Sequence, residues 1–109
     1  MATYEHLDPT AIKARLDAGE RIRILDVREE EEWSICRIEG AQLRPLSRLH
    51  EWVGELAGSA TPVVVHCHHG MRSQQVCEWL SAQGIEGLIN MLGGIAAWAD
   101  CVDPGMPRY

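Results

Sequence analysis

The run TPVVVHC, residues 61–67, constrains the fold more than any other stretch of the chain. Three consecutive valines leave no polar face, so the segment has to be covered on both sides, as a central strand of a parallel sheet is. The apolar run stops at Cys67 and gives way to His68, His69, Gly70, Met71, Arg72 and Ser73. SQQVCEWLSAQG then reads as a helix starting near Ser73, with Val76, Cys77 and Leu80 at helical spacing and Gly84 near its end. A buried strand, a short loop and a helix in that order make a βα unit.

The rest of the chain repeats the alternation. DPTAIKARLDAG carries Asp8 as N-cap, Pro9 at the first helical position and Gly19 as stop, with Ile12 and Leu16 on its buried side. Ile22 to Val27 reads as a strand, and REEEEW as a short helix whose acidic first turn faces the positive end of its dipole. After Gly40 a brief extended piece leads to Pro45, and SRLHEWVGELAG predicts one helix ending near Gly58. GLINML reads as a further strand, GGIAAWADC as a last helix and residues 102–109 as an extended, proline-broken tail. Strands alternating with helices predict an α/β domain with a mainly parallel sheet flanked by helices on both faces. In such sheets ligands bind beyond the carboxyl ends of the strands, where Cys67 falls.

A chain of 109 residues, 46% of them hydrophobic, builds one core, so residues 1–109 are expected to form a single domain. The net charge of −6 and the scattered basic residues argue against nucleic acid as the main partner. No apolar stretch approaches the ~20 residues a membrane span needs, and no basic-then-apolar leader is visible, so a soluble cytoplasmic protein is expected. Cys36, Cys67, Cys77 and Cys101 form no C-x-x-C pair and are too sparse for a disulfide scaffold.

The loop after the central strand carries the chemistry. A short loop closing into a helix turns several backbone N–H groups toward one point, and with the helix dipole these form an anion site. Such donors favour the thiolate of a cysteine at the start of the loop. Gly70 permits a backbone conformation that a side chain opposes, and Arg72 adds a permanent positive charge with a fork suited to oxyanions. His66, His68 and His69 invite a zinc reading, but adjacent residues at a strand end point in different directions and do not close a tetrahedral site. No metal is expected; His68 and His69 are read as lining the mouth of the loop and His66 as a strand-end residue.

At this point the sequence resembles a known family. ILDVREEEEW, IEGAQLRPL, VVVHCHHGMRS and LGGIAAW, in this order, are similar to the successive signatures of single-domain rhodaneses, which are sulfurtransferases. The resemblance runs from about Tyr4 to Trp98 and implies a five-stranded parallel sheet between helices. It implies Cys67 as nucleophile, with His68, His69, Gly70, Met71, Arg72 and Ser73 forming the substrate-binding loop, and no cofactor. The implied mechanism is ping-pong: the Cys67 thiolate takes the outer sulfur of a donor such as thiosulfate, and the persulfide passes it to cyanide, a thiol or a protein acceptor. A monomer or weak homodimer is expected.

Cell-cycle dual-specificity phosphatases share this fold but use a C-x5-R loop to cradle phosphate; Cys67 to Arg72 is C-x4-R, the sulfurtransferase count. A phosphatase or arsenate reductase is therefore the weaker alternative, and a non-catalytic or partner-dedicated sulfur-carrying module the main one. Asp26 and Arg28 match the family's DVR, to be read either as a helix cap with a surface ion pair or as supports of the pocket. Glu29 to Glu32 reads as a solvated helix turn, Trp33 and Trp98 as core or rim aromatics, and Cys77 as packing; Cys36 and Cys101 are read as structural or incidental. CRIEGA replaces the usual GHIPGA and LRPL the usual NIPL, so Arg37 and Arg44 are expected to make the approach more cationic.

Overall fold

The computed structural model describes residues 3–58 and 60–109. Five strands, β1 (Glu5–Leu7), β2 (Arg23–Asp26), β3 (Gln42–Leu43), β4 (Val63–His66) and β5 (Leu88–Met91), form one sheet in the order β1-β5-β4-β2-β3. Every neighbouring pair is parallel. The valine run β4 sits at the centre, where all four residues are buried, as its two-sided apolarity requires.

Helices α1 (Pro9–Asp17), α2 (Glu30–Ile35), α3 (Leu49–Trp52), α4 (Met71–Ala82) and α5 (Gly94–Cys101) complete the domain. On one face Ile12 of α1 and Ile95, Trp98 and Ala99 of α5 pack with Ile24, Val64, Ile89 and Met91. On the other, Trp52, Leu56 and the Val76–Cys77–Leu80 side of α4 pack with Leu25, Val63, Val65 and Leu88. The period-2 alternation along β2 and β4 sorts their side chains between the two clusters.

Asp8 caps α1 as its sequence predicts, accepting a hydrogen bond from Ala11 N–H at 2.8 Å. Four local expectations are corrected. Residues 46–56 are not one helix: a single α-turn, α3, is flanked by 3-10 turns over residues 46–48 and 53–56. The strand β1 went unread, because three largely exposed residues hold their place only by pairing with β5. Helix α4 starts at Met71, two residues before Ser73, since Gly70 takes a left-handed φ of 103° and caps it. Residues 102–109 do not stay extended: a turn in which Met106 N–H bonds Asp103 O at 3.0 Å folds them back, with Met106 buried in the α1–α5 core. No helix among the described residues is long and apolar enough to cross a membrane.

Candidate active site

The site lies beyond the carboxyl ends of β2 and β4, where register sets Asp26 opposite His66. One residue further, Cys67 leaves the sheet and only 1% of it is exposed. Its Sγ receives Gly70 N–H at 3.0 Å and Ser73 N–H at 3.4 Å, and its S–H reaches Ser73 Oγ at 3.5 Å. The loop thus aims backbone donors at the sulfur, the arrangement that stabilises charge developing there. Ser73 Oγ is held in turn by a 2.6 Å bond to Asn90 Oδ1 at the end of β5.

The loop carbonyls face the opposite way. Cys67 O and His68 O accept from Ile95 N–H at 2.8 Å and Ala96 N–H at 3.0 Å, in the first turn of α5. A Cβ on Gly94 would stand 2.5 Å from each of those two carbonyl oxygens, which explains the glycine pair in LGGIAAW. Acceptors bound behind the loop leave N–H groups in front, so α5 polarises it.

Arg72 behaves differently from the free oxyanion clamp expected of it. Its guanidinium forks onto Glu32, with Nη1–Oε1 at 2.7 Å and Nη2–Oε2 at 2.8 Å. The planar fork matches a carboxylate as well as it matches any substrate oxyanion, and α2 supplies one within reach. The Arg72 contact, joined by the Tyr109 hydroxyl, pulls the Glu32 carboxyl down to about 2. Glu32 is therefore not part of a solvated turn but the partner of a loop residue 40 positions away. Only long-range packing reveals this; nothing local in an acidic run distinguishes Glu32 from Glu30 or Glu31.

Asp26 and Arg28 form no surface pair and no helix cap, Glu29 being the N-cap of α2. Both are fully buried, and Arg28 gives Nε and Nη2 to the Asp26 carboxylate at 2.9 and 2.7 Å. Burial works against the Arg28 charge, and the Asp26 carboxylate more than offsets it. The same guanidinium binds Cys36 O at 2.7 Å and the Tyr109 hydroxyl at 2.9 Å.

Tyr109 is the residue that sequence reasoning missed altogether. Its hydroxyl donates to Glu32 Oε2 at 2.6 Å and its ring stacks on His68 with centroids 3.9 Å apart and planes 10° from parallel. Burial and the Glu32 carboxylate raise its own pKa to about 12, so it remains a donor. His68 also meets the His69 ring at 3.9 Å, and burial lowers its pKa. Met71 points outward, 75% exposed. His66 is buried, with Nε2 lacking a hydrogen-bond partner and 3.8 Å from Asp26 Oδ2. Cys77 is packed in the core, where burial pushes its thiol up to about 12. Trp98 is a core residue, while Trp33 is half-buried and covered by the Arg37 guanidinium at 4.8 Å. Arg44 pairs with Glu55 at 3.0 Å and so adds no free charge.

The Rhodanese-like domain model matches residues 8–101. The chain belongs to the rhodanese family. Among curated relatives, this rhodanese-like domain is 33% identical over 105 residues to the probable adenylyltransferase/sulfurtransferase MoeZ of Mycobacterium tuberculosis, covering 94% of the chain but 26% of that protein. It is 29% identical to the thiosulfate sulfurtransferase GlpE of Shewanella oneidensis, covering 90% of the chain and 95% of GlpE. The crystal structure of a rhodanese-like domain protein from Staphylococcus aureus superposes with a TM-score of 0.81 at 28% identity, over 96% of this chain and 98% of the other. The rhodanese fold is thus shown, and the relatives support sulfur transfer at the level of the family.

Proposed function

We propose that the domain is a cytoplasmic sulfurtransferase that carries a sulfane sulfur as a persulfide on Cys67. The observation that carries the reading is the pair of backbone N–H groups, from Gly70 and Ser73, aimed at Sγ at the base of a C-x4-R loop. In the first half-reaction the Cys67 thiolate attacks the outer sulfur of thiosulfate or of a persulfide; the new S–S bond forms as sulfite or a thiolate departs with the electron pair. In the second, cyanide, a thiol or a protein nucleophile attacks the outer sulfur and Cys67 leaves as thiolate. No cofactor takes part. The loop N–H groups of residues 68–73 hold the anion in both states, and Glu32 positions Arg72 beside them. Four free cysteines, including the exposed Cys101, agree with a reducing compartment.

A partner-dedicated sulfur carrier is the second reading, favoured by MoeZ, of which the chain spans only about a quarter. The two part company in one experiment. Incubation with thiosulfate and intact mass measurement should add one sulfur, removed by cyanide and absent in Cys67→Ser. Uptake from a protein persulfide but not from thiosulfate would favour the carrier. No uptake from any donor would overturn sulfur transfer, and turnover of an aryl phosphate would point to phosphatase chemistry.

A further inference from the structure

Beside the catalytic loop the folded-back tail leaves a groove of about 110 Å³, lined among others by Cys36, His68, Ile95, Ala96, Met106 and Tyr109. The lining is mostly carbon, and one wall is the stacked pair of the His68 and Tyr109 rings, with the His69 ring tilted by 34° against His68. His68 and His69 immediately follow Cys67, so with Cα atoms ~3.8 Å apart the wall begins within about two residue steps of the nucleophile. A closed cavity of about 150 Å³ takes benzene whole, so an open groove of about 110 Å³ seats part of a ring or a branched chain with the rest facing solvent.

The charges around the loop bear on what the groove receives. Arg72 is bound by Glu32, Arg28 by Asp26 and Arg108 by Asp100. A small dianion meets these three guanidiniums already paired with carboxylates, so its binding falls mainly on the loop N–H groups. A monoanion with a carbon body uses the same N–H groups and adds apolar contact.

We infer that the groove seats the carbon body of an organic sulfur donor, a persulfide or thiosulfonate with an aromatic or branched apolar group, in preference to inorganic thiosulfate. This rests on Cys67 accepting sulfur as proposed above. With a thiosulfonate, R–SO2–S⁻, the Cys67 thiolate forms a bond to the terminal sulfur while the S–SO2 bond breaks, its electron pair leaving on the sulfinate R–SO2⁻. Two negative charges enter and two remain. With a persulfide, R–S–SH, the outer sulfur is transferred and R–S⁻ departs, taking up the proton as R–SH.

The experiment compares sulfur loading of Cys67 by thiosulfate, methanethiosulfonate and benzenethiosulfonate, read by intact mass in single turnover. Each rate is referred to that of a free thiol, which removes intrinsic reactivity. In the parent protein benzenethiosulfonate should exceed methanethiosulfonate by about tenfold, from partial burial of the ring, and thiosulfate should be the slowest. Ala96→Leu fills the groove and should bring the phenyl-to-methyl ratio toward one. Tyr109→Ala, which removes the ring, should lower the same ratio, whereas Tyr109→Phe, which removes only the hydroxyl bonds to Arg28 and Glu32, should keep it. A ratio near one in the parent, or a preference that survives both Ala96→Leu and Tyr109→Ala, overturns the groove as a donor seat while leaving sulfur transfer standing. Failure of all three donors to load Cys67 overturns the parent reading and this one with it.

Discussion

The Asp26–Arg28 pair invites a double-mutant cycle. Both side chains are fully buried, and Arg28 is tied at once to Asp26, to Cys36 O and to Tyr109. Arg28→Met keeps much of the volume and removes the charge, leaving the Asp26 carboxylate in the core without its cation. Stranding one partner of a buried pair costs about 3–5 kcal/mol. A domain of 109 residues has an unfolding entropy of roughly 0.23 kcal/mol per kelvin at its midpoint, so the Tm should fall by about 13–22 °C. Asp26→Asn keeps an acceptor for Arg28 N–H, now bound to Oδ1 at 3.0 Å, and strands the guanidinium instead. The double variant strands neither charge, and its loss should be smaller than the two single losses combined by about 2 kcal/mol. Urea unfolding at neutral pH measures all four corners. If Arg28→Met loses under about 1 kcal/mol, or if the two losses simply add, the pair is not the coupled buried unit described above.

Three further outcomes follow from the same geometry. Gly94→Ala places a methyl against Cys67 O and His68 O at a φ of 61°, so the first turn of α5 must separate from the loop; the variant should lose several-fold or more in sulfur loading and lower the Tm, whereas Ala97→Ser, in the same helix, should not. His66 is kept neutral by burial, so below its unfolded value of 6.5 the unfolded chain takes a proton that the folded chain refuses, and stability falls with pH by up to about 1.4 kcal/mol per unit. His66→Leu should flatten that decline below pH 6.5 in thermal scans, and an unchanged slope would contradict a buried neutral imidazole. Glu32 acts in the same direction in a more acid window: its folded value of about 2 lies below the unfolded one, so its contribution is fully present at neutral pH and is lost as pH falls below the ordinary carboxylate range toward 2. Because the pair is partly exposed, Glu32→Gln should cost only about 1 kcal/mol, with the difference from the parent vanishing at the acid limit.

Legibility followed the range of the interactions concerned. The strands β2, β4 and β5 and the helices α1 and α4 are written in local apolar runs and caps, and the C-x4-R loop in six consecutive residues, so both could be read without coordinates. β1 could not, because it has only three residues, two of them polar and exposed, and its position is set by β5, more than 80 residues away. Residues 46–56 alternate helix formers with Ser47, Val53 and Gly54, and with Trp52 and Leu56 packed into the core they form single turns instead of one helix. In the site, Cys67, Gly70 and Ser73 announced themselves by position. Glu32 and Tyr109 did not, since an acidic run and a terminal aromatic gain meaning only when α2 and the tail converge on Arg72.

The bonds from α5 to the loop carbonyls also have a meaning in time. Synthesis proceeds from the amino end at about 5–20 residues per second, so Cys67 is made before Gly94, Ile95 and Ala96, the residues that turn its loop outward. Until that segment docks, the carbonyls of Cys67 and His68 have no partner in α5 and the N–H groups have no reason to converge on the sulfur. The loop is therefore completed late, by residues well beyond Cys67 in the chain, and the setting proposed for its sulfur comes together only once α5 has docked.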